Sequence, residues 1–296
     1  MKISILGVSG MLGSQLLKSM SKHDLDIIAT YRSVDKINAD AYPDVQFVQL
    51  DVSSASITDI QKTIAGSTWC INSIGIIKPY IKDTDMDDVL RAIDVNSAFP
   101  ARLAAAAKKT GTKVMQIATD CVWDGQAGTY RENAPHNAGD VYGKSKSLGE
   151  IQAENFFNLR CSIIGKELDG HVSLMDWFLA QPHGAVINGY TNHHWNGITT
   201  LQFSNICAAI IKHGYTPRNL QHIVPANSLN KNDLLHIFAD VFERKDIKIT
   251  PYDAPIGIDR TIQTLFTSEN KELWSLAGYE TPPTLQAMIQ EFKESL

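Results

Sequence analysis

The sequence predicts an α/β protein built on a doubly wound parallel sheet with a smaller C-terminal lobe, and three observations carry that expectation. Short β-branched runs alternate with longer amphipathic stretches through the first half of the chain, the pattern of a parallel sheet flanked by helices. A glycine-rich turn, Gly7-Val8-Ser9-Gly10-Met11-Leu12-Gly13, joins the first such run to the first amphipathic stretch. After Gly165 the alternation loosens into a mixture of short helices, strands and a polar aromatic loop.

Taken in order, the candidate strands are residues 2–7, 26–31, 45–50, 68–73, 113–118 and 158–164, and the candidate helices are 10–21, 57–65, 86–110 and 142–155. Right-handed crossovers stack such strands into a sheet wound in both directions, with its ligand cleft at the carboxyl ends. Beyond Gly165 the pattern predicts a short helix at 174–180, a loop at 191–197, a helix at 201–213, a strand from about 222, a helix at 232–243, a strand near 247–250 and a final helix at 285–295.

Bulk properties narrow the class. A chain of 296 residues buries a substantial core. With 27 Lys and Arg against 32 Asp and Glu, its formal net charge of -5 offers no basic footprint for a nucleic acid polymer. Cys70, Cys121, Cys161 and Cys207 form no CxxC pair and read as reduced thiols of a cytoplasmic protein. The apolar start is interrupted by Gly7, Ser9, Gly10 and Gly13, which argues against a signal peptide. No later apolar run approaches the roughly 18 residues needed to cross a bilayer, so no membrane partner is expected.

The glycine turn fits a Rossmann-type dinucleotide site. Gly7 permits the tight turn, Gly10 lets backbone approach a pyrophosphate, and Gly13 lets helix and strand pack, while amides from Ser9 to Leu12 face the phosphates. Its spacing is GxxGxxG, which a turn merely needing flexible residues would also satisfy. The second strand ends in Arg32 rather than an acid. A guanidinium there pairs with a 2′-phosphate, so NADP (as NADPH) is expected over NAD, although a solvated surface arginine is the plain alternative. Asp51 and Val52 end the third strand and Ser73, Ile74 and Gly75 the fourth, completing the expected cofactor wall; Asp51 accepts from the adenine amino group or belongs to a helix N-cap.

Tyr142 and Lys146 stand four residues apart, one above the other on a helix. Tyrosine, with a pKa of about 10, is a poor acid near neutrality; an adjacent ammonium and an oxidised nicotinamide bring it toward the working range. Lys146 also holds the nicotinamide ribose. Thr119, at the end of the preceding strand, donates to a substrate carbonyl oxygen, and Asp120 polarises the same oxygen; both could instead satisfy loop backbone. Cys121 has no histidine nearby in sequence and reads as a small packed residue.

The segments GVSGMLG, ATDCVWDG, Tyr130-Arg131-Glu132-Asn133, VYGKSKSLGE, Val95-Asn96 and Leu159-Arg160-Cys161-Ser162-Ile163-Ile164-Gly165 together resemble the dTDP-4-dehydrorhamnose reductase family of extended short-chain dehydrogenases/reductases. The resemblance covers most of residues 1–165. It implies a catalytic triad of Thr119, Tyr142 and Lys146, with Asn96 supporting the lysine, and NAD(P)H-dependent reduction of a keto carbon on a nucleotide-linked 6-deoxyhexose. The implied division is a dinucleotide-binding unit over 1–165 and a mainly substrate-binding lobe over 166–296, with residues 185–225 returning to the first unit. A homodimer is a further expectation.

Two departures from the family matter. Dehydratase relatives carry Glu where this chain has Cys121, which argues against water elimination. The usual substrate loop is replaced by Asn188-Gly189-Tyr190-Thr191-Asn192-His193-His194-Trp195-Asn196-Gly197-Ile198-Thr199-Thr200, so the sugar or base is expected to differ. The expected substrate contacts are Asp120, Val122, Trp123, Arg160, His194 and Trp195. Arg160 could equally brace the sheet end, and Trp177 reads as core. Adjacent His193 and His194 lack a zinc pattern, so no metal is expected. The leading expectation is an NADPH-dependent sugar-nucleotide 4-ketoreductase; an epimerase of the same superfamily and a non-catalytic regulatory subunit are the alternatives.

Overall fold

The structure, a computed structural model, describes residues 1–33 and 38–296. The chain opens with β1 (Lys2–Leu6), α1 (Met11–Met20), β2 (Asp26–Tyr31), β3 (Val45–Gln49), α2 (Ile57–Ile64) and β4 (Trp69–Asn72). There follow α3 (Met86–Ile93), a π turn (Asp94–Ala98), α4 (Phe99–Thr110), β5 (Lys113–Ala118), α5 (Val141–Leu148) and β6 (Phe156–Arg160). The later elements are β7 (Ile163–Ile164), α6 (Leu174–Leu179), β8 (Val186–Tyr190), β9 (His193–Trp195), β10 (Ile198–Thr199), α7 (Thr200–His213), β11 (Leu220–His222), β12 (Leu229–Asn230), α8 (Lys231–Val241), β13 (Lys248–Tyr252), β14 (Ile258–Asp259), α9 (Thr267–Leu276) and α10 (Leu285–Glu294).

Seven strands form one sheet in the order β11-β6-β5-β4-β1-β2-β3, every neighbour parallel. Its central strands β4 and β6 are buried along their whole length, as a sheet covered on both faces requires. On one face Leu12 and Leu16 of α1 join Phe203 and Ile210 of α7. On the other, Ile60 and Ile64 of α2 pack with Leu103 and Ala107 of α4. The chain winds outward from β1 through β2 and β3, then restarts on the opposite side at β4. The crevice between β1 and β4 is therefore the switch point, where such folds bind ligands. The smaller sheets pair β10 with β7, β12 and β14 with β9, and β13 with β8.

Four local expectations are corrected. The helix expected over 86–110 contains the π turn Asp94–Ala98; Pro100 lacks the N–H that would bond the carbonyl of Asn96, and the ladder opens there. The helix expected over 142–155 stops at Leu148, because Gly149 packs against the Asn96 carbonyl, which an added Cβ would meet at 2.0 Å. The strand expected over 158–164 is two, β6 in the main sheet and β7 paired with β10. The loop expected over 191–197 contains β9, the middle strand of a three-stranded sheet. The sequence reading also missed α9.

Candidate active site

The glycine turn lies at the switch point. Gly7 adopts φ +89°, and a Cβ there would meet Ile74 Cγ1 at 2.6 Å. At Gly13 a Cβ would lie 2.1 Å from the Gly7 carbonyl, so only glycine allows α1 to approach the turn. The Ser73 hydroxyl donates to the Leu6 carbonyl at 2.6 Å, closing β4 onto β1. Leu12 and Val52 have buried side chains, which leaves only their backbones for a ligand. Arg32 is exposed at the end of β2. Asp51 accepts from the Ser53 amide and hydroxyl at 3.0 and 2.7 Å. Those bonds, with Arg32 contributing, hold its carboxyl below the usual range.

The second cluster stands at the carboxyl edge of β4 and β5. Asn96, buried in the π turn, donates to the Ile76 carbonyl at 3.0 Å and accepts from the Ile76 amide at 2.9 Å. Its amide also donates to the Ser145 hydroxyl at 3.1 Å. A Cβ at Gly75 would lie 3.4 Å from Asn96 Oδ1 and 3.7 Å from Lys146 Nζ, so the lysine reaches the turn after β4. Lys146 is buried and donates to the Ile117 carbonyl at 3.2 Å. Burial lowers its pKa to about 8, with Glu150 and Cys121 opposing.

α5 presents Tyr142. The Asp140 carboxylate caps the helix by accepting from Gly143 N at 2.7 Å, and Lys78 pairs with the same carboxylate at 2.7 Å. Burial, then the Cys121 thiol, pushes the Tyr142 pKa above its ordinary value, while a hydrogen bond with Thr119 draws it back. Without a cofactor beside it, the hydroxyl is thus held in its protonated form. Thr119 directly follows β5, accepts from the Cys121 amide at 3.1 Å and donates to Asp120 Oδ1 at 3.2 Å. Asp120 is buried, which raises its pKa, with Arg260, Thr119 and Lys231 opposing. Burial followed by Asp120 lifts the Cys121 thiol to about 12.

Three of the expected substrate contacts have no exposed surface. Val122, Trp123 and Arg160 are each 0% exposed. Trp123 stacks on Tyr130 with ring centroids 4.6 Å apart, and the Arg160 guanidinium lies 4.7 Å from the Trp123 ring centroid. Arg160 braces the sheet end. Trp195 is also buried, so the loop's aromatic face belongs to the core, whereas His194 is exposed on β9. Trp177 is 37% exposed, against its expected place in the core.

The sequence reading missed Lys231 and Arg260. Lys231 is the first residue of α8, and its ammonium lies 5.0 Å over the Trp195 ring. Burial lowers its pKa to about 8, and Asp120 is the largest opposing charge. Arg260 donates to the carbonyls of Trp123 and Asp124 at 3.1 and 3.3 Å. Both cations thus come from the C-terminal part and face the end of β5. Asp and Arg or Lys so far apart in sequence leave no local signal.

A parallel sheet with this strand order and a Tyr-Lys pair at its carboxyl edge is the architecture of the extended short-chain dehydrogenases/reductases. The family model described as "RmlD substrate binding domain" matches residues 1–164. The chain belongs to that family, one of NAD(P)-dependent sugar-nucleotide oxidoreductases. Among solved structures, a dTDP-4-dehydrorhamnose reductase from Clostridium acetobutylicum is similar over 100% of this chain and 99% of its own, with TM-score 0.75 and 20% identity. One from Bacillus anthracis in complex with NADP has TM-score 0.75 and 18% identity over 100% and 99%. A dTDP-glucose 4,6-dehydratase from Bacillus anthracis in complex with NAD has TM-score 0.73 and 16% identity over 99% and 96%. No curated protein sequence gives a significant match. Among the described residues no helix is long and apolar enough to cross a membrane.

Proposed function

We propose that this chain reduces a nucleotide-linked 4-keto-6-deoxyhexose with NADPH, as a cytoplasmic step in deoxysugar or surface-polysaccharide synthesis. The observation that carries this reading is the meeting of Lys146, Asn96 and Gly75 beside the switch point, with Tyr142 and Thr119 on the same edge.

The chain's own groups suit a dinucleotide. No side chain caps α1 at Gly10, which leaves the amides of Met11, Leu12 and Gly13 for a pyrophosphate. A Cβ at Gly10 would meet only the Gly7 carbonyl, at 3.5 Å, so the turn is open to a ligand. Ser9, Ile74 and Gly75 line the same crevice, Arg32 is the cation for a 2′-phosphate, and the Asp51 oxygen not taken by Ser53 accepts from adenine. NAD is the lesser alternative, held without the Arg32 pairing. When bound, the reduced nicotinamide supplies a hydride to the keto carbon.

The residues do the rest. Tyr142 carries the proton that the new alkoxide takes up, and its raised pKa keeps that proton in place until charge develops. Thr119 exchanges its bond to Asp120 for the keto oxygen and so aims that oxygen at Tyr142. Lys146 steadies the ribose and the phenolate that Tyr142 becomes. Asp120, His194, Lys231 and Arg260 form the sugar-nucleotide side. Cys121, with its thiol near 12, abstracts no proton at neutrality, which favours reduction over dehydration.

Met86, Leu90 and Ile93 on α3 and Leu148 at the end of α5 are all exposed, an apolar stripe on two packed helices. A second copy of the chain covering it is the proposed assembly. The test of the activity is NADPH oxidation with mass spectrometry across dTDP-, UDP-, CDP- and GDP-linked keto sugars. No turnover with any of them would reject the reading.

A further inference from the structure

α5 is two turns long, so what holds its ends decides where Tyr142 and Lys146 sit. At its C-terminal end the Ser145 carbonyl accepts from Ser97 at 2.7 Å and the Gly149 carbonyl from Gln116 at 2.7 Å. Directly after the helix, the buried Glu150 carboxylate is gripped by Arg160, whose Nε donates to Oε1 at 3.0 Å and whose Nη2 donates to Oε2. The same guanidinium donates to His222 Nε2 at 2.8 Å and to His136 Nε2 at 2.9 Å. Because arginine only donates, both histidines are neutral with the proton on Nδ1, and His136 passes its own to the Ser147 hydroxyl at 2.6 Å. Arg160 also lies over Trp123, which follows Thr119, Asp120 and Cys121 in the loop after β5. One planar cation therefore touches the end of α5, the catalytic loop, β6 and β11.

We propose that Glu150, gripped by Arg160, is a positioning residue for the reaction, holding the helix of Tyr142 and Lys146 in register with the loop of Thr119. The pair stands four residues beyond Lys146 and links the segments of both reacting groups. Glu150 has a second consequence. It is the largest favourable charge on the Lys146 ammonium, which is otherwise faced by Cys121 from the loop after β5 and by the neutral Asn96 and Gly75. The inference rests on Tyr142 and Lys146 being the reacting pair.

The test uses the paired substitution Glu150→Gln with Arg160→Met, which removes both charges and leaves no orphaned buried ion. Glu150→Asp, which keeps the charge but shortens the reach, is measured beside it, with Tyr142→Phe as a control on the reading itself. Circular dichroism and NADPH titration establish that each variant is folded. The paired variant is expected to bind NADPH within about threefold of the native chain at pH 7 while kcat falls roughly 10²-fold, the scale of an ångström's misplacement. The alkaline limbs of kcat and of NADPH binding should both move to lower pH, since Lys146 then loses its proton sooner. Glu150→Asp should recover the native alkaline limb and part of kcat. A folded paired variant with native kcat and an unmoved limb overturns the inference while Tyr142→Phe remains impaired. If Tyr142→Phe turns over normally, or no keto sugar is reduced, the functional reading fails, and the pH limb of NADPH binding alone decides whether Glu150 governs Lys146.

Discussion

Asn96 and Ser145 are hydrogen-bonded across two helices, Nδ2 to hydroxyl at 3.1 Å. The bond ties the π turn to the residue before Lys146 and so helps fix the lysine's helix. A site assembled in this way loses chemistry, rather than shape, when one reacting atom is deleted.

Tyr142→Phe removes the hydroxyl and keeps the ring. Turnover should fall by roughly 10² to 10⁴, with NADPH affinity nearly unchanged. Steady-state kinetics and a fluorescence titration of NADPH check both parts, and an unimpaired variant would mean that another group supplies the proton.

Arg32→Ala bears on cofactor choice. The native chain should bind NADPH more tightly than NADH, and the substitution should narrow the gap by about 1 to 3 kcal/mol, the scale of a charged hydrogen bond. Calorimetry with both cofactors decides it; equal native affinities would remove Arg32 from the site.

Lys231 and Trp195 separate binding from packing. Lys231→Ala should weaken sugar-nucleotide binding at pH 7 and leave NADPH affinity alone, and His194→Ala should act in the same direction. Trp195→Ala, at a buried position, should instead cost about 3 to 5 kcal/mol of stability. Substrate titration and urea unfolding of the three variants distinguish these outcomes.

Acid sensitivity follows from His222. Burial and then Arg160 hold its pKa well below the usual histidine range, with Glu132 opposing, and its Nδ1–H donates to the Gln263 carbonyl at 2.6 Å. The unfolded chain therefore binds a proton that the folded chain refuses. The stabilisation is fully present above about pH 6.5, the unfolded value, and is lost as pH falls through the depressed folded value. Urea midpoints should drop steadily from pH 7 to pH 5, and His222→Asn should flatten that slope.

For the assembly, Leu148→Glu should convert a dimer to a monomer with its secondary structure intact. Light scattering on the native chain and the variant reads the mass directly, and a native monomer would refute the proposed pairing.

Much of the frame was legible because its signals are local. The run from Lys2 to Gly13 shows strand, turn and helix within one window, and the spacing of Tyr142 and Lys146 needs only helical geometry. The π turn was missed although its signal, Pro100 leaving the Asn96 carbonyl without a helical partner, stands in the sequence, because an apolar stripe looks alike on α and π windings. Arg160 reads equally as substrate contact or brace in the sequence because its partners Glu150, His136 and His222 come from three separate segments. Lys231 carries a similar lesson: nothing near it in sequence announces Asp120.

The place of β11 bears on how such a chain can be cut or recombined. Leu220–His222 closes the main sheet beside β6, and the family match ends well before it, at residue 164. A fragment stopped there would leave β6 as a bare, apolar edge and Arg160 without His222, an invitation to aggregate. Exchange of specificity between relatives would therefore succeed by grafting the segments around β9, Lys231 and Arg260 into an intact chain, and fail by joining halves.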